Sequence, residues 1–574
     1  MSPIKTASLV TALICAGVLT GCAAQETATP ESTDAEFSTA VSLDSIDVTS
    51  SGATVLSALQ ASHDEANDYT WDSSEEETIT LSGSSASSSS DAVTVSGSTV
   101  TITAAGTYVV SGTLNGQIVV DSPDDGIVRI VLDGATISSS SSAAIAVMQS
   151  DKTLISLADG SSNTVSDASS FATDAEINAA IWSADDLTIG GSGSLTVNGN
   201  GADGIASNDG LVISGGNITV NAADDGVRGK DYAIISGGTL NITSGGDGIK
   251  GTNTVDSGAG YVAVTGGTVN ITSGGDGISA ASYLVTTGGT GSITAGGGAA
   301  SGKTDTSQKG LKAGILLVTD GGSWNINSAD DSLHSNSLAH LGASTITVAT
   351  GDDALHATTS ILISDGSFTA TEANEGIEAQ TITIAGGTNS VTTSDDGING
   401  TNGSVAGGDM NNESDVMVTI SGGTTTVNAG GDGLDSNGSV TMTGGALTVW
   451  GPTADDNASL DFNGTFALSG GTLIAAGSAG MAQSPDASAT QAFVAFSFGQ
   501  TLSAGTQVSI TDASGTVIDT VTLEKNAATL VYSSAKLSSG ASYSAAGVTV
   551  TANTALSGGM GGGGMGGGPG APRH

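Results

Sequence analysis

Basic residues are scarce in this chain: 12 Lys and Arg stand against 57 Asp and Glu, a formal net charge of −45 at pH 7. Such a chain is repelled by phosphate backbones and anionic headgroups, which excludes nucleic acid and anionic lipid surfaces as partners. Cysteine is almost missing, with 2 in 574 residues, Cys15 and Cys22. Because Cys15 falls in an amino-terminal apolar run, no disulfide framework is available. Aromatics are 3% of the chain, so the interior has to be thin and aliphatic. No segment after Asp91 carries an apolar period near 3.6, which excludes a helical repeat. The apolar run from Ala7 to Thr20 is too short for a comfortable membrane span.

What is present is glycine, 86 residues of it, set in a turn phrase that keeps returning. It reads AADDGVRG around Asp225, SGGDGIKG around Asp247 and SGGDGISA around Asp276, then SQKGLKA at Lys309, SADDSLHS at Asp331, TGDDALHA at Asp353 and EANEGIEA at Glu375. SDDGING at Asp396, GGDGLDSNG at Asp432 and TADDNASL at Asp456 complete the series. Most steps are of one length (225−203, 247−225, 331−309, 353−331, 375−353), and the longer ones carry insertions. A fixed period of about 22 residues marks a repeat architecture.

Between the turns lie VISGGNITV, IISGGTLNIT, VAVTGGTVNIT, VTISGGTTTV and VTMTGGALTV. Each is a pair of alternating Val/Ile/Thr segments broken by Gly-Gly, the pattern of two short strands around a bend that needs positive φ. The expected fold is all-β: a right-handed parallel β-helix, a solenoid of about 22-residue, three-strand coils, closed by a small antiparallel β cap at the carboxyl end. The small residues that could pass for disorder then serve tight bends, and Ile, Val and Leu fill the cylinder.

The ends divide the rest. MSPIKTASLVTALICAGVLTGC has one lysine, an apolar run and the lipobox-like Leu19-Thr20-Gly21-Cys22, so residues 1–22 read as a lipoprotein signal with Cys22 lipidated. The chain would be exported and held at the bacterial membrane facing outward. Residues 23–73 read as a tether with a short helix near VLSALQASHDEAN, and 74–180 as the β-rich start of the stack. Regular coils are expected over 181–480, a cap over 481–556, and a Gly/Met-rich tail over 557–574. The protein is expected to be monomeric.

In a stacked repeat, equivalent turn acids lie about 5 Å apart, where like charges repel by about 0.8 kcal/mol in water and more near protein. Calcium, a hard cation that takes carboxylate and carbonyl oxygens, relieves this. Its candidate ligands are Asp224, Asp225, Asp247, Asp276, Asp330, Asp331, Asp352, Asp353, Glu375, Asp395, Asp396 and Asp432. The competing expectation is that each Asp only caps its own turn. The first acid of each doubled pair is expected to point outward.

Three residues after each turn acid, with parity opposite to the inward Ile, the sequence holds Arg228, Lys250, Ser279, Lys312, His334, His356, Glu378, Asn399 and Asp435. These form one expected stripe, and with Lys230 they are the candidate ligand groove for a polysaccharide. His334 and His356 with Asp330 and Asp352 also admit a transition-metal site, although nothing fixes a tetrahedral set. A lyase would need Arg228, Lys230 or Lys250 as base, with a depressed pKa that sequence does not show. A structural or adhesive surface role is the third possibility. Tyr232, Tyr261, Tyr283, Trp324 and Trp450 do not fall on one column by simple counting.

The turns SGGDGIKG and GGDGLDSNG, the phrases SQKGLKA, SADDSLHS and EANEGIEA, and the leading AGTYVVSGTLNGQIVV resemble a family of bacterial secreted carbohydrate-binding lipoproteins with a polysaccharide-lyase-like β-helix. The resemblance runs from about Ile79 to Gly480. It implies binding of cellulose-like or acidic pectin-like polysaccharide with calcium, and no established catalysis.

Overall fold

The computed structural model describes residues 45–172, 175–403 and 414–556. The signal and most of the tether, with Cys22, and the Gly/Met tail from 557 lie outside the described residues. Of the described residues, 43 strands belong to one continuous, largely parallel sheet. In the regular region each strand pairs in register with the strand three further along the chain. Val227–Gly229 thus pairs with Ile249–Gly251, and Asn217–Ala222 with Thr239–Ser244.

The pairing follows from the alternation. Ile205, Val227, Ile249, Ile278, Leu311, Leu333, Leu355, Ile377, Ile398 and Leu434 succeed one another in register, each 0% exposed. At roughly 1.5–3 kcal/mol per buried aliphatic side chain, this single column outweighs any hydrogen bond in the turns. A one-residue slip would turn it to solvent. The second glycine of each Gly-Gly bend is left-handed, as at Gly238 (φ +77°) and Gly423 (φ +70°).

The expectation of an open, right-handed parallel β-helix of uniform three-strand coils is corrected by this topology. The strands are joined edge to edge in one sheet that closes around a single apolar interior, as a barrel wall does. The three-strand module is not constant either. Tyr283–Ala295 and Leu316–Ser328 each run 13 residues, straight through the position of the Gly-Gly bend, because Thr287 and Thr290 keep pairing with Gly321 and Ser323 across a bulge. The carboxyl end is not a separate cap alone. Phe493–Leu502 and Ala527–Ser533 enter the large sheet antiparallel, and only Gln507–Asp512, Val517–Thr522, Ser542–Ala545 and Val548–Thr551 form a second, four-stranded sheet.

Residues 46–72 do not trail free. The helix Gly52–Ala58 and the chain after it lie as a strap across the outside of the wall, burying Val55 and Leu59 against Tyr232, Tyr261, Tyr283 and Val285. His63 N–H donates to Tyr232 Oη (2.9 Å), Tyr261 Oη donates to Gln60 O (2.9 Å), and Lys152 Nζ pairs with Asp68 (2.8 Å). The three tyrosines do form one column, correcting the count from sequence: Tyr232 pairs with Tyr261, while Tyr261 and Tyr283 precede the paired Val262 and Leu284. All three are at most 2% exposed beneath the strap, so they offer no open stacking platform. No described helix is long and apolar enough to cross a membrane.

Candidate functional site

The short strands Val227–Gly229 to Leu434–Ser436 carry the stripe. Arg228, Lys250, Ser279, Lys312, His334, His356, Glu378, Asn399 and Asp435 are consecutive register partners, each half-buried on the outer side of the wall. Lys230 lies one corner beyond and is exposed.

Beside the stripe runs the row of turn acids, and seven of its carboxylates, those of Asp203, Asp225, Asp247, Asp276, Asp331, Asp396 and Asp432, accept from the next repeat. One oxygen caps the next repeat rather than its own turn. The N–H of Asp225 donates to Asp203 Oδ1 (3.2 Å), that of Asp247 to Asp225 Oδ1 (2.8 Å), that of Asp276 to Asp247 Oδ1 (2.8 Å), and that of Lys309 to Asp276 Oδ1 (2.8 Å). Asp353 donates likewise to Asp331 Oδ1 (3.2 Å), Asp432 to Asp396 Oδ1 (2.6 Å), and Ala458 to Asp432. The other oxygen turns to the stripe, and here the row divides.

In the amino-terminal half each such oxygen meets a base of the chain itself. Asp203 takes Arg228 Nε (2.8 Å), Asp247 and Asp225 share Lys250 Nζ (3.0 and 3.4 Å), and Asp276 faces Lys312 Nζ (3.4 Å). Lys309 stands where the repeat would place an acid, and reaches Asp330 (2.7 Å) and Asp331 (3.0 Å). Lys303, from the insertion at 296–308, pairs with Asp352 and approaches Asp330 (3.7 Å). Asp330 is therefore buried at 3% exposure, not outward as expected of a first acid, whereas Asp224 and Asp395 are exposed. Ammonium groups of the chain itself thus pair with Asp225, Asp247, Asp276, Asp330, Asp331 and Asp352.

At the middle, His334 Nδ1 lies 2.7 Å from Asp331 Oδ2 and His356 Nδ1 3.1 Å from Asp353 Oδ2; the rings stack at 5.0 Å and 7°. Burial holds the His334 pKa below its ordinary value. Burial also opposes charge on His356, but the Asp353 hydrogen bond and the charges of Asp331 and Asp353 outweigh it and raise its pKa.

Among the described residues of the carboxyl-terminal half, no lysine or arginine answers the acids. Carboxylate oxygens of Asp353, Glu375 and Glu378 lie within 4.8 Å of one another. Asn399 Nδ2 donates to Glu375 Oε2 (2.8 Å) and Glu378 Oε2 (3.2 Å), while its own Oδ1 is buried without a hydrogen-bond partner. Burial, then the neighbouring Glu375, pushes the Glu378 carboxyl up to about 10. Burial and the charges of Asp396, Asp432 and Asp461 push Asp435 up to about 8, and burial lifts Asp396 to about 7 and Asp432 to about 6. Lys250 moves the other way from what a base requires: burial favours its neutral form, but Asp247 and Asp225 hold it protonated well above the ordinary lysine range.

The period reaches back to position 203, but the pairing of Asp203 with Arg228 was not foreseen, nor was Asp461 as a member of the row, nor Lys303 and Lys309 as internal counter-ions.

Residues 96–354 match the family described as carbohydrate-binding domain-containing protein. A protein of that description from Acetivibrio thermocellus is 45% identical over 128 residues, which is 21% of this chain and 45% of the relative. The chain thus spans less than half of that relative's length. A solved polysaccharide lyase-like protein from C. thermocellum is 36% identical and covers 43% of this chain and 99% of its own; its TM-score of 0.40 does not establish a shared fold.

Proposed function

Since residues 96–354 match the carbohydrate-binding-domain family, we propose that the whole chain is a surface carbohydrate-binding protein that takes an acidic polysaccharide along the Arg228–Asp435 stripe, with calcium and without turnover. The observation that carries this reading is the division of the acid row: lysine and arginine answer it at one end, whereas at the other the base that meets Asp353 and Glu378 is His356, through Nδ1 (3.1 and 3.5 Å), with no lysine or arginine answering them among the described residues. The residues at that second end fit calcium. Asp353, Glu375 and Glu378 offer clustered hard oxygens, and the unpartnered Asn399 Oδ1 is a neutral oxygen of the kind such sites include. Asp396, Asp432 and Asp435 are a second oxygen-rich group one repeat on. Calcium held there would supply positive charge that a uronate carboxylate can share. Equivalent stripe positions repeat at about 4.8 Å, close to the rise of a sugar unit.

The lyase alternative is the weaker one. Arg228 is bound to Asp203 and Asn178, and Lys250 is kept protonated by two aspartates, so neither is poised to remove a proton. Zinc is the weaker reading for the His334–His356 pair because both ring nitrogens of His334 are engaged, Nδ1 with Asp331 and Nε2 with Asn336. Export and anchoring through lipidated Cys22 complete the proposal, and Cys22→Ser should move the protein from the membrane fraction to the medium.

The test is polygalacturonate binding with calcium and with chelator, following unsaturated product by absorbance. Calcium-dependent binding with a flat trace is expected. A rising trace would transfer the protein to the lyases. Binding that is indifferent to chelator would remove calcium from the site.

A further inference from the structure

The strap, residues 46–72, is attached in an order that suits it to come away from one end. It runs against the direction of the stack, so its partners fall back along the sequence as it advances. Ser50 O accepts from His340 Nδ1 (3.1 Å), and Gly52 N–H donates to Asp320 Oδ2 (2.6 Å). Further along, Gln60 N–H donates to Gly258 O (3.0 Å) and His63 N–H to Tyr232 Oη (2.9 Å). At the far end Asp68 pairs with Lys152 Nζ (2.8 Å), and its carbonyl accepts from Arg129 Nε (2.8 Å). Soon after comes Glu76–Gly83, a strand of the wall itself, paired along its length with Gly106–Leu114.

Two properties make this attachment sequential. No strap residue belongs to a strand, so no backbone ladder spreads a load over the contacts, and each rung of the wall supplies only a bond or two. Strands of the wall such as Thr239–Ser244 are instead bonded in register on both sides. The contacts are also graded. A pull on the chain before residue 46 meets the bonds of Ser50 and Gly52 first and alone. It then meets the packing of Val55 and Leu59 on the tyrosines, and only last the Asp68–Lys152 pair, a charge-assisted bond between side chains 4% and 14% exposed. Removal of the strap bares Tyr232, Tyr261 and Tyr283, and the return of that apolar surface to water drives the strap back when the pull ends. None of the strap contacts named here involves a residue of the stripe.

We propose that the strap is a releasable latch: tension on the amino-terminal side peels residues 46–72 from the wall rung by rung, lengthens the connection to the body, and leaves the wall and its stripe folded. Fully extended, this segment reaches about 90 Å. A body holding a polymer under drag then yields by that distance without letting go. This use of the latch rests on the anchored, polymer-binding reading above; the peeling itself does not.

The experiment is force extension of the full chain, held by its two ends in optical tweezers. Expected is an early step of no more than about 90 Å, reversible on slackening, well before the wall unfolds. Lys152→Met should keep a step of the same length and complete it at lower load. The step is blocked by a staple at the loaded end, Gly52→Cys with Asp320→Cys, in a chain also carrying Cys15→Ser and Cys22→Ser. A Cβ on Gly52 lies 3.5 Å from Asp320 Cβ, within disulfide range. The oxidised staple should abolish the early step and reductant should restore it. Absence of an early step in the wild-type chain, or its persistence in the oxidised staple, overturns the proposal. The measurement needs neither membrane nor polysaccharide, so its failure leaves the anchored reading to be decided by Cys22→Ser and by polygalacturonate binding.

Discussion

Removing calcium should make this protein more stable in mild acid than at neutral pH. Glu378 ordinarily titrates at 4.5 and Asp435 at 3.8, but in the fold they stand at about 10 and about 8. The folded chain therefore holds protons that the unfolded chain releases, and stability falls as pH rises from the unfolded values toward the folded ones. Each net proton retained between pH 5 and pH 7 corresponds to about 2.7 kcal/mol, at about 1.36 kcal/mol per pH unit. Calcium competes with that proton, so it should stabilise more at pH 7 than at pH 5, and binding at pH 7 in unbuffered solution should release about one proton per ion. The assay is urea denaturation at pH 5, 6 and 7 in chelator and in calcium, with the proton release titrated separately. General self-repulsion of a chain this acidic runs in the same direction, so the decisive comparison is Glu378→Gln with Asp435→Asn. In chelator at pH 7 that variant should be more stable than the wild type by about 2 kcal/mol, with a flatter pH profile and no calcium response. A wild-type profile that is flat or rising from pH 5 to 7, or a variant less stable than its parent, refutes the reasoning.

Three further outcomes follow from the same structure. Lys250→Met leaves Asp225 and Asp247 without their shared cation; it should cost about 2 kcal/mol in chelator, and calcium should restore part of the loss, read as a melting temperature in each buffer. Gly397→Ala would place a Cβ 2.1 Å from Val427 Cγ1 and 2.7 Å from Gly433 O, and should destabilise by about 3 kcal/mol, seen as an earlier urea transition. Asp68→Asn breaks a pair whose side chains are 14% and 4% exposed, so the strap should loosen and limited proteolysis should cut between residues 60 and 72 at least several-fold faster.

The stripe was legible because two periods fix it: the turn repeat sets the neighbour in the next coil, and strand alternation sets the side. Nothing else was needed to align Arg228 with Asp435 across eight register steps. The tyrosine column was equally available, since Tyr232 and Tyr261 are separated by the same lengthened step as Asp247 and Asp276 across the insertion; a count at a constant period hides it. The strap over those tyrosines was not legible, because its contacts join residues with no sequence relation to the period, such as Gly52 N–H with Asp320 Oδ2 at 2.6 Å. Closure of the wall was missed for a related reason: short strands announce themselves by their bends, and Tyr283–Ala295 keeps the glycines of a bend while pairing through it.

The least legible feature is how the acid row divides. Composition shows acids in large excess everywhere, and although the bases cluster between Arg228 and Lys312, with Lys309 in the row itself, the sequence does not say which acids of the row they close. The row's two halves differ only in what stands three residues later and in two lysines that arrive by other routes, Lys309 in a turn and Lys303 from an insertion. Where those bases are present, the row is closed with ion pairs inside the chain itself. Where the same offset holds Glu378, Asn399 and Asp435, the row needs a proton or a cation to be complete, and a ligand that brings or shares one gains the energy that folding left unspent.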